Sequence, residues 1–305
     1  MINNHMLKRK LDWDYRQRCI YMTTVTVEKR RPLLGQLTGG LDTPAVELSD
    51  VGVMVAQCWQ EIPSRFPGIS LLEWQVMPDH FHGIIFVQVP QEKPLGAIVG
   101  AFKAHSTSLY RAGARQEAHL WSPGYQDTIL LHRGQLANMR AYIQDNPRRL
   151  AVKRAHPELF RIIRDLSVYG HIFAAIGNHF LLDAPVKRQV QISRSVPPDA
   201  LAAAEADLLA AAQHGAVLVS PCISAGEKQI ARAALQAALP LIVILENGFP
   251  PLYKPPKSYF DACAAGRLLM LAPWPHHTDR RSLTREQCLT LNRFAEQITQ
   301  TDNTP

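Results

Sequence analysis

A chain of 305 residues that is 47% hydrophobic and 19% charged is long enough for two ordinary domains and too apolar to be disordered. Its longest apolar runs, Leu239 to Leu245 and Ile84 to Val89, are too short to cross a bilayer, so no membrane partner is expected. The formal net charge of +7 is uneven: residues 1–154 hold 19 Lys and Arg against 13 Asp and Glu, and residues 155–305 hold 14 against 13, so the half expected to meet a polyanion is the first.

Lys8-Arg9-Lys10 leads into Leu11-Asp12-Trp13-Asp14 and not into an apolar run, which is not the pattern of a secretory signal. Cys19 to Lys29 carries Thr and Val at β-favouring positions and predicts a first strand. Ser49 to Phe66 predicts a helix, with Ser49 and Asp50 as N-cap candidates and Val51, Val55, Cys58, Trp59 and Ile62 at helical spacing. Ile69 to Met77 and His80 to Val89 predict a hairpin around Pro78-Asp79. Because strand side chains alternate, His80 and His82 share one face while Phe81 points into the opposite layer. Two imidazoles side by side can hold a divalent metal. Asp79, the adjacent carboxylate, is expected to point to the other face.

Pro94 to Arg111 predicts a second helix, Gly124 to Leu131 a further strand, and Gln135 to Asn146 a helix closed by Pro147. That order suits an antiparallel sheet with helices on one face. Tyr142 and Asn146, four residues apart, share one face of the last helix, so an amide oxygen from Asn146 could serve as a third metal ligand beside the tyrosine. Asn146 is also well placed to be no more than a C-terminal cap, and Tyr142 or Tyr125 to be packing residues. Lys103, Arg111, Arg140, Arg148 and Arg149 flank these segments and could bind phosphates of DNA.

Met77-Pro78-Asp79-His80-Phe81-His82-Gly83-Ile84-Ile85 closely resembles the signature of the HUH single-tyrosine transposases of REP-associated and short insertion-sequence elements. Tyr142-Ile143-Gln144-Asp145-Asn146-Pro147 resembles that family's tyrosine segment, in the right order and about sixty residues later. The resemblance covers roughly residues 13 to 155. It implies a ferredoxin-like fold in residues 1–155, with Tyr142 as nucleophile and His80, His82 and Asn146 around a divalent metal (Mg²⁺ or Mn²⁺). It also implies a single-stranded or hairpin DNA substrate, a covalent 5′-phosphotyrosine with a free 3′-OH, and a working unit that is a homodimer or a monomer. Two rival readings remain: a domesticated protein that binds DNA hairpins without moving DNA, and a His-ligated metallohydrolase without a covalent intermediate.

Residues 156–197 are expected to form a bridge, with short strands at Gly170 to Leu182 and Val186 to Arg194 and a linker at Ser195-Val196-Pro197-Pro198. Residues 198–305 then predict an α/β domain with a parallel sheet. Its helices are Ala200 to Gln213, Gly226 to Ala238 and Thr284 to Gln300, and its strands Ala216 to Ser220, Leu241 to Glu246 and Arg267 to Ala272. The turn Ser220 to Lys228 joins a strand to a helix start and could seat a phosphate through Ser220, Ser224, Gly226 and Lys228. With Val243 to Gly248 it faintly resembles the Rossmann-like module of the DNA-processing protein A family. Five cysteines, odd in number and widely spaced, predict a reduced, cytoplasmic protein.

Overall fold

The computed structural model describes residues 10, 12–114, 119–279 and 282–300, and the chain divides into two compact units, Met1–Val152 and Lys153–Pro305. Among the described residues no helix is long and apolar enough to cross a membrane.

In the first unit, β1 (Cys19–Thr26) is followed by a ribbon of β2 (Gly35–Thr38) and β3 (Ala45–Leu48), then by α1 (Asp50–Gln60) and α2 (Ile62–Arg65). Next come β4 (Ile69–Met77), β5 (His80–Val87), α3 (Leu95–Ala114), β6 (Gln126–Leu130), α4 (Gln135–Gln144) and α5 (Asn146–Ala155). Ser49 does cap α1, its hydroxyl accepting the Gly52 N–H at 3.1 Å. The main sheet runs β4-β5-β1-β6 with every neighbour antiparallel, which is the order of a split β-α-β arrangement.

The two faces of this sheet are covered differently. Tyr21, Val25, Phe81 and Ile85 point to α1 and α3, where Trp59 and Phe102 close the core. The alternate residues Met22 and Ile84 point the other way and pack on Ile143, with Met139 and Tyr142 of α4 beside them. The expectation of helices on one face is therefore corrected: α4 covers the opposite face. Alternation along β1 and β5 makes both faces apolar near their centres, and an apolar face must be covered. The same alternation puts His80 and His82 under α4.

The second unit comprises α6 (Pro157–Phe160), β7 (Ile163–Val168), β8 (His171–Gly177), β9 (Lys187–Gln189), α7 (Pro198–Gln213), β10 (Val217–Ser220), α8 (Ala225–Gln236), β11 (Leu241–Ile244), α9 (Lys257–Ala264), β12 (Leu268–Ala272) and α10 (Arg285–Thr299). Its sheet runs β7-β8-β12-β11-β10-β9, with β9 to β12 mutually parallel and β8 antiparallel to β12 and β7. Leu218, Val243 and Met270 face α7, α8 and α9, while Val219, Ile242 and Leu271 face α10. Strands buried on both sides explain the unbroken apolar runs. Two expectations change here. Residues 156–197 are not a bridge, because they supply β7, β8 and β9 to this sheet. The parallel strands also follow one another in sequence order, without the reversal that marks a doubly wound Rossmann sheet.

Candidate metal and tyrosine site

Pro78 and Asp79 form the turn between β4 and β5, so His80 opens β5 opposite Met77, and His82 lies opposite Gln75 on one side and Thr24 on the other. Both imidazoles are buried, at 9% and 2% exposure. Their Nε2 atoms converge to 3.1 Å, while each Nδ1 is held from behind. Asp79 Oδ1 lies 2.6 Å from His80 Nδ1, and Thr24 Oγ1 lies 2.8 Å from His82 Nδ1. A carboxylate on one ring nitrogen fixes the tautomer that leaves the other nitrogen for a metal. A hydroxyl both donates and accepts, so Thr24 can serve His82 in either tautomer.

Asp79 thus corrects its expected orientation. It sits in the turn, where strand alternation does not apply, and its carboxylate swings back onto His80. Its second oxygen accepts a 2.9 Å hydrogen bond from the Arg30 guanidinium. Burial disfavours the charge on Asp79, but the hydrogen bonds and charges of His80 and Arg30 outweigh it and hold the carboxyl at about 2. Lys29 and Arg30 both take left-handed backbone (φ 57° and 53°), uncommon for side chains of this size, at the bend that presents Arg30 to Asp79. Gly83 explains the glycine of the histidine motif. Its Cα faces the indole of Trp59, and a Cβ there would lie 2.1 Å from that ring.

From the other side, α4 places the Tyr142 ring edge-on to His82, with centroids 5.7 Å apart and planes at 67°. Helix α4 ends at Gln144 and α5 starts at Asn146, so Pro147 opens a second helix where it was expected to close the first. The helical bonding continues across the joint, Asp145 N–H to Ala141 O and Arg149 N–H to Asp145 O, both at 3.0 Å. Asn146 is buried, and its side-chain nitrogen donates to the Tyr142 carbonyl at 2.8 Å, so of its two amide atoms Oδ1 is the one that could reach a metal. Arg149 is also buried, at 6% exposure, with its guanidinium 5.6 Å from the Tyr142 ring centre.

The remaining basic residues separate by environment. Lys103 donates to the Ser122 and Gly124 carbonyls at 2.7 and 2.6 Å, and burial pulls its ammonium below the usual lysine range; it ties down a loop. Arg148 pairs with Asp145, NH2 to Oδ2 at 3.0 Å. Arg111 and Arg140 are exposed. Arg111 borders a cavity of 420 Å³ with Thr107, Ser108, His119 and Trp121.

In the second unit the turn expected to seat a phosphate is filled from within. The buried Glu227 carboxylate accepts the N–H groups of Ile223 and Ser224 at 2.6 and 3.2 Å, and Ser224 Oγ accepts the Glu227 N–H. Ser220 Oγ accepts from Cys222 N–H, and a Cβ on Gly226 would meet Ile192 at 2.6 Å, so that glycine serves packing. Lys228 lines a cavity of 560 Å³ beside this turn, with Cys222, Ile223, Arg232, Glu246 and Tyr259.

Thr24 and Arg30 were not among the residues singled out from sequence. Neither lies in a motif, and only the pairing of β1 with β5 and the bend after β1 bring them to the histidines.

Residues 49–146 match the family model described as Transposase IS200 like. A protein of Haemophilus influenzae (strain ATCC 51907 / DSM 11121 / KW20 / Rd), described as uncharacterized, is 29% identical over 155 residues, which cover 44% of this chain and 83% of the relative. Among solved structures, a REP-associated tyrosine transposase bound to a REP hairpin aligns over 46% of this chain and 73% of that one, at 15% identity and a TM-score of 0.34. The stretch that matches the IS200-like transposase model, residues 49–146, is the one that carries His80, His82, Tyr142 and Asn146.

Proposed function

We propose that the first unit cleaves and rejoins single-stranded DNA beside a hairpin, through a covalent bond between Tyr142 and a 5′ phosphate. The observation that carries this reading is the meeting of two elements about sixty residues apart. The Tyr142 ring lies 5.7 Å from that of His82, whose Nε2 faces that of His80 at 3.1 Å.

The donor set fits a divalent metal. Two Nε2 atoms converge, and both Nδ1 atoms are anchored by Asp79 and Thr24, the arrangement expected around a ligating pair. Asp79 is engaged with the far nitrogen of His80, so it acts as support and not as a ligand. No group of three or more His, Cys, Asp or Glu suited to a metal occurs among the described residues. Asn146, through its amide oxygen, would serve as the third protein ligand to such a metal. A bound metal supplies Lewis-acid polarisation of the scissile phosphate.

The chain's own residues do the rest. Tyr142 sits near the end of a helix packed on the sheet, a rigid mount for in-line attack. Its oxygen forms a bond to phosphorus as the bond from phosphorus to O3′ breaks, and the phenolic proton passes to the departing 3′ oxygen. Rejoining is the reverse with a new 3′-OH, whose proton ends on Tyr142. One phosphoester replaces another at each step, so no nucleotide hydrolysis is needed. Arg111 and Arg140, exposed on α3 and α4, are the proposed backbone contacts.

The test is denaturing electrophoresis of the protein with labelled hairpin DNA and Mn²⁺ or Mg²⁺. A covalent adduct supports the transferase. Binding without an adduct would point to a domesticated hairpin binder, and cleavage without an adduct to a hydrolase.

A further inference from the structure

Arg149 is buried where an arginine is costly to keep. Removing a guanidinium from water is costly unless the surroundings answer it. Its neighbour Arg148 is half-buried and pairs with Asp145. Tyr142 and Arg149 are seven residues apart, two helical turns, and the hydrogen bonds from Asp145 to Ala141 and from Arg149 to Asp145 carry the helical path across the α4–α5 joint. Both side chains therefore lie on one stripe. The guanidinium stands 5.6 Å from the Tyr142 ring centre, and the same ring meets His82 at 5.7 Å. The ring thus meets both a histidine of the candidate metal pair and a buried cation.

We infer that Arg149 is a positioning residue for Tyr142 and the electrostatic partner of its oxygen during strand transfer, and not one of the DNA-binding arginines of the surface. The inference rests on the reading of Tyr142 as nucleophile. A planar cation against the ring restricts rotation of the phenol and so holds its oxygen in line for attack. In rejoining, the bond from phosphorus to the Tyr142 oxygen breaks and negative charge develops on that oxygen before the proton arrives. A buried guanidinium already in place stabilises that charge without reorganisation. It also answers the phosphodiester charge while the strand is held covalently. Lysine would keep the charge but lose the flat face.

The experiment is single-turnover adduct formation at saturating hairpin DNA with Mn²⁺, on wild type, Arg149→Met, Arg149→Lys and Arg149→Ala. Hairpin affinity and melting temperature are measured in parallel. Arg149→Met should lose about 100-fold in rate, as for loss of one charge-stabilising donor, with hairpin affinity within a few-fold. Arg149→Lys should fall between. Guanidinium chloride, well below denaturing concentration, should restore rate to Arg149→Ala without changing its affinity for DNA. A rate within about twofold of wild type in Arg149→Met overturns the inference. So does a loss that tracks hairpin affinity or melting temperature and that guanidinium does not relieve, since that is the mark of a purely structural role. A wild type that forms no adduct overturns the Tyr142 reading, and this inference with it.

Discussion

Gly83 shows how tightly the site is tied to the core behind it. It lies between His82 and Ile84, and the Trp59 indole on its far side is fully buried. Gly83→Ala must displace that ring or the strand. Overpacking of this kind costs about 1–3 kcal/mol, so thermal or urea denaturation should show a clear loss of stability. Unchanged stability would mean that Trp59 has another place to go. Asp79 and Thr24 set the histidines from behind, and their removal should act on metal affinity more than on fold. Asp79→Ala and Thr24→Val should each weaken Mn²⁺ binding by about 10–100-fold in calorimetric titration, the usual cost of losing such a support. Equal affinity in both variants would place the metal elsewhere. Imidazole nitrogen suits Mn²⁺ better than Mg²⁺, which favours oxygen, so Mn²⁺ should bind at the lower concentration.

At the scale of elements, the face-to-face meeting of β5 and α4 is what makes a tyrosine helix useful. Tyr142→Phe should keep the fold and hairpin affinity yet give no adduct, a loss as complete as that of the His80→Ala, His82→Ala double variant. Peptide mapping of a trapped wild-type adduct identifies the residue, and a modified Tyr125 would remove α4 from the mechanism. Much of this arrangement was legible in the sequence. The alternation of His80, Phe81 and His82 fixed their faces, and the strand and helix spans of α1, β4, β5 and α3 lie within a few residues of their expected ends, apart from the short α2 that continues past α1. The side of the sheet that α4 covers was not legible, because the pattern that buries Phe81 also leaves Ile84 apolar on the reverse. The β2–β3 ribbon was missed as well. Each strand has only four residues, too few to show a period, and the close approach of Gly35 to the Glu47 carbonyl is a pairing no local pattern announces. The joint at Asp145, across which the helical path continues, was hidden by Pro147, since proline both ends one helix and begins another.

At the scale of the whole molecule, the position of the boundary decides which fragments can exist. The first sheet and α4 lie within residues 1–152, as do His80, His82 and Tyr142 of the candidate site, and the basic excess of +6 falls within residues 1–154. Strands β7, β8 and β9 belong to the second sheet, and Phe173, Ile176 and Val190 are buried there. A fragment ending at Arg194 would carry those strands without β10, β11 and β12, leaving apolar faces and an unpaired edge that invite aggregation. A fragment of residues 1–155 ends with α5 and leaves no such edge. The prediction is that residues 1–155 are soluble, melt cooperatively and bind hairpin DNA, whereas residues 1–194 aggregate. Binding by 1–155 should weaken steeply with salt, with log affinity falling by roughly 0.7 per single-strand phosphate neutralised for each decade of salt concentration. Gel filtration and a salt series of fluorescence anisotropy check both parts. If residues 156–305 carried the hairpin affinity instead, the candidate site of the first unit would lack its substrate, and the assignment of DNA handling to that unit would fall.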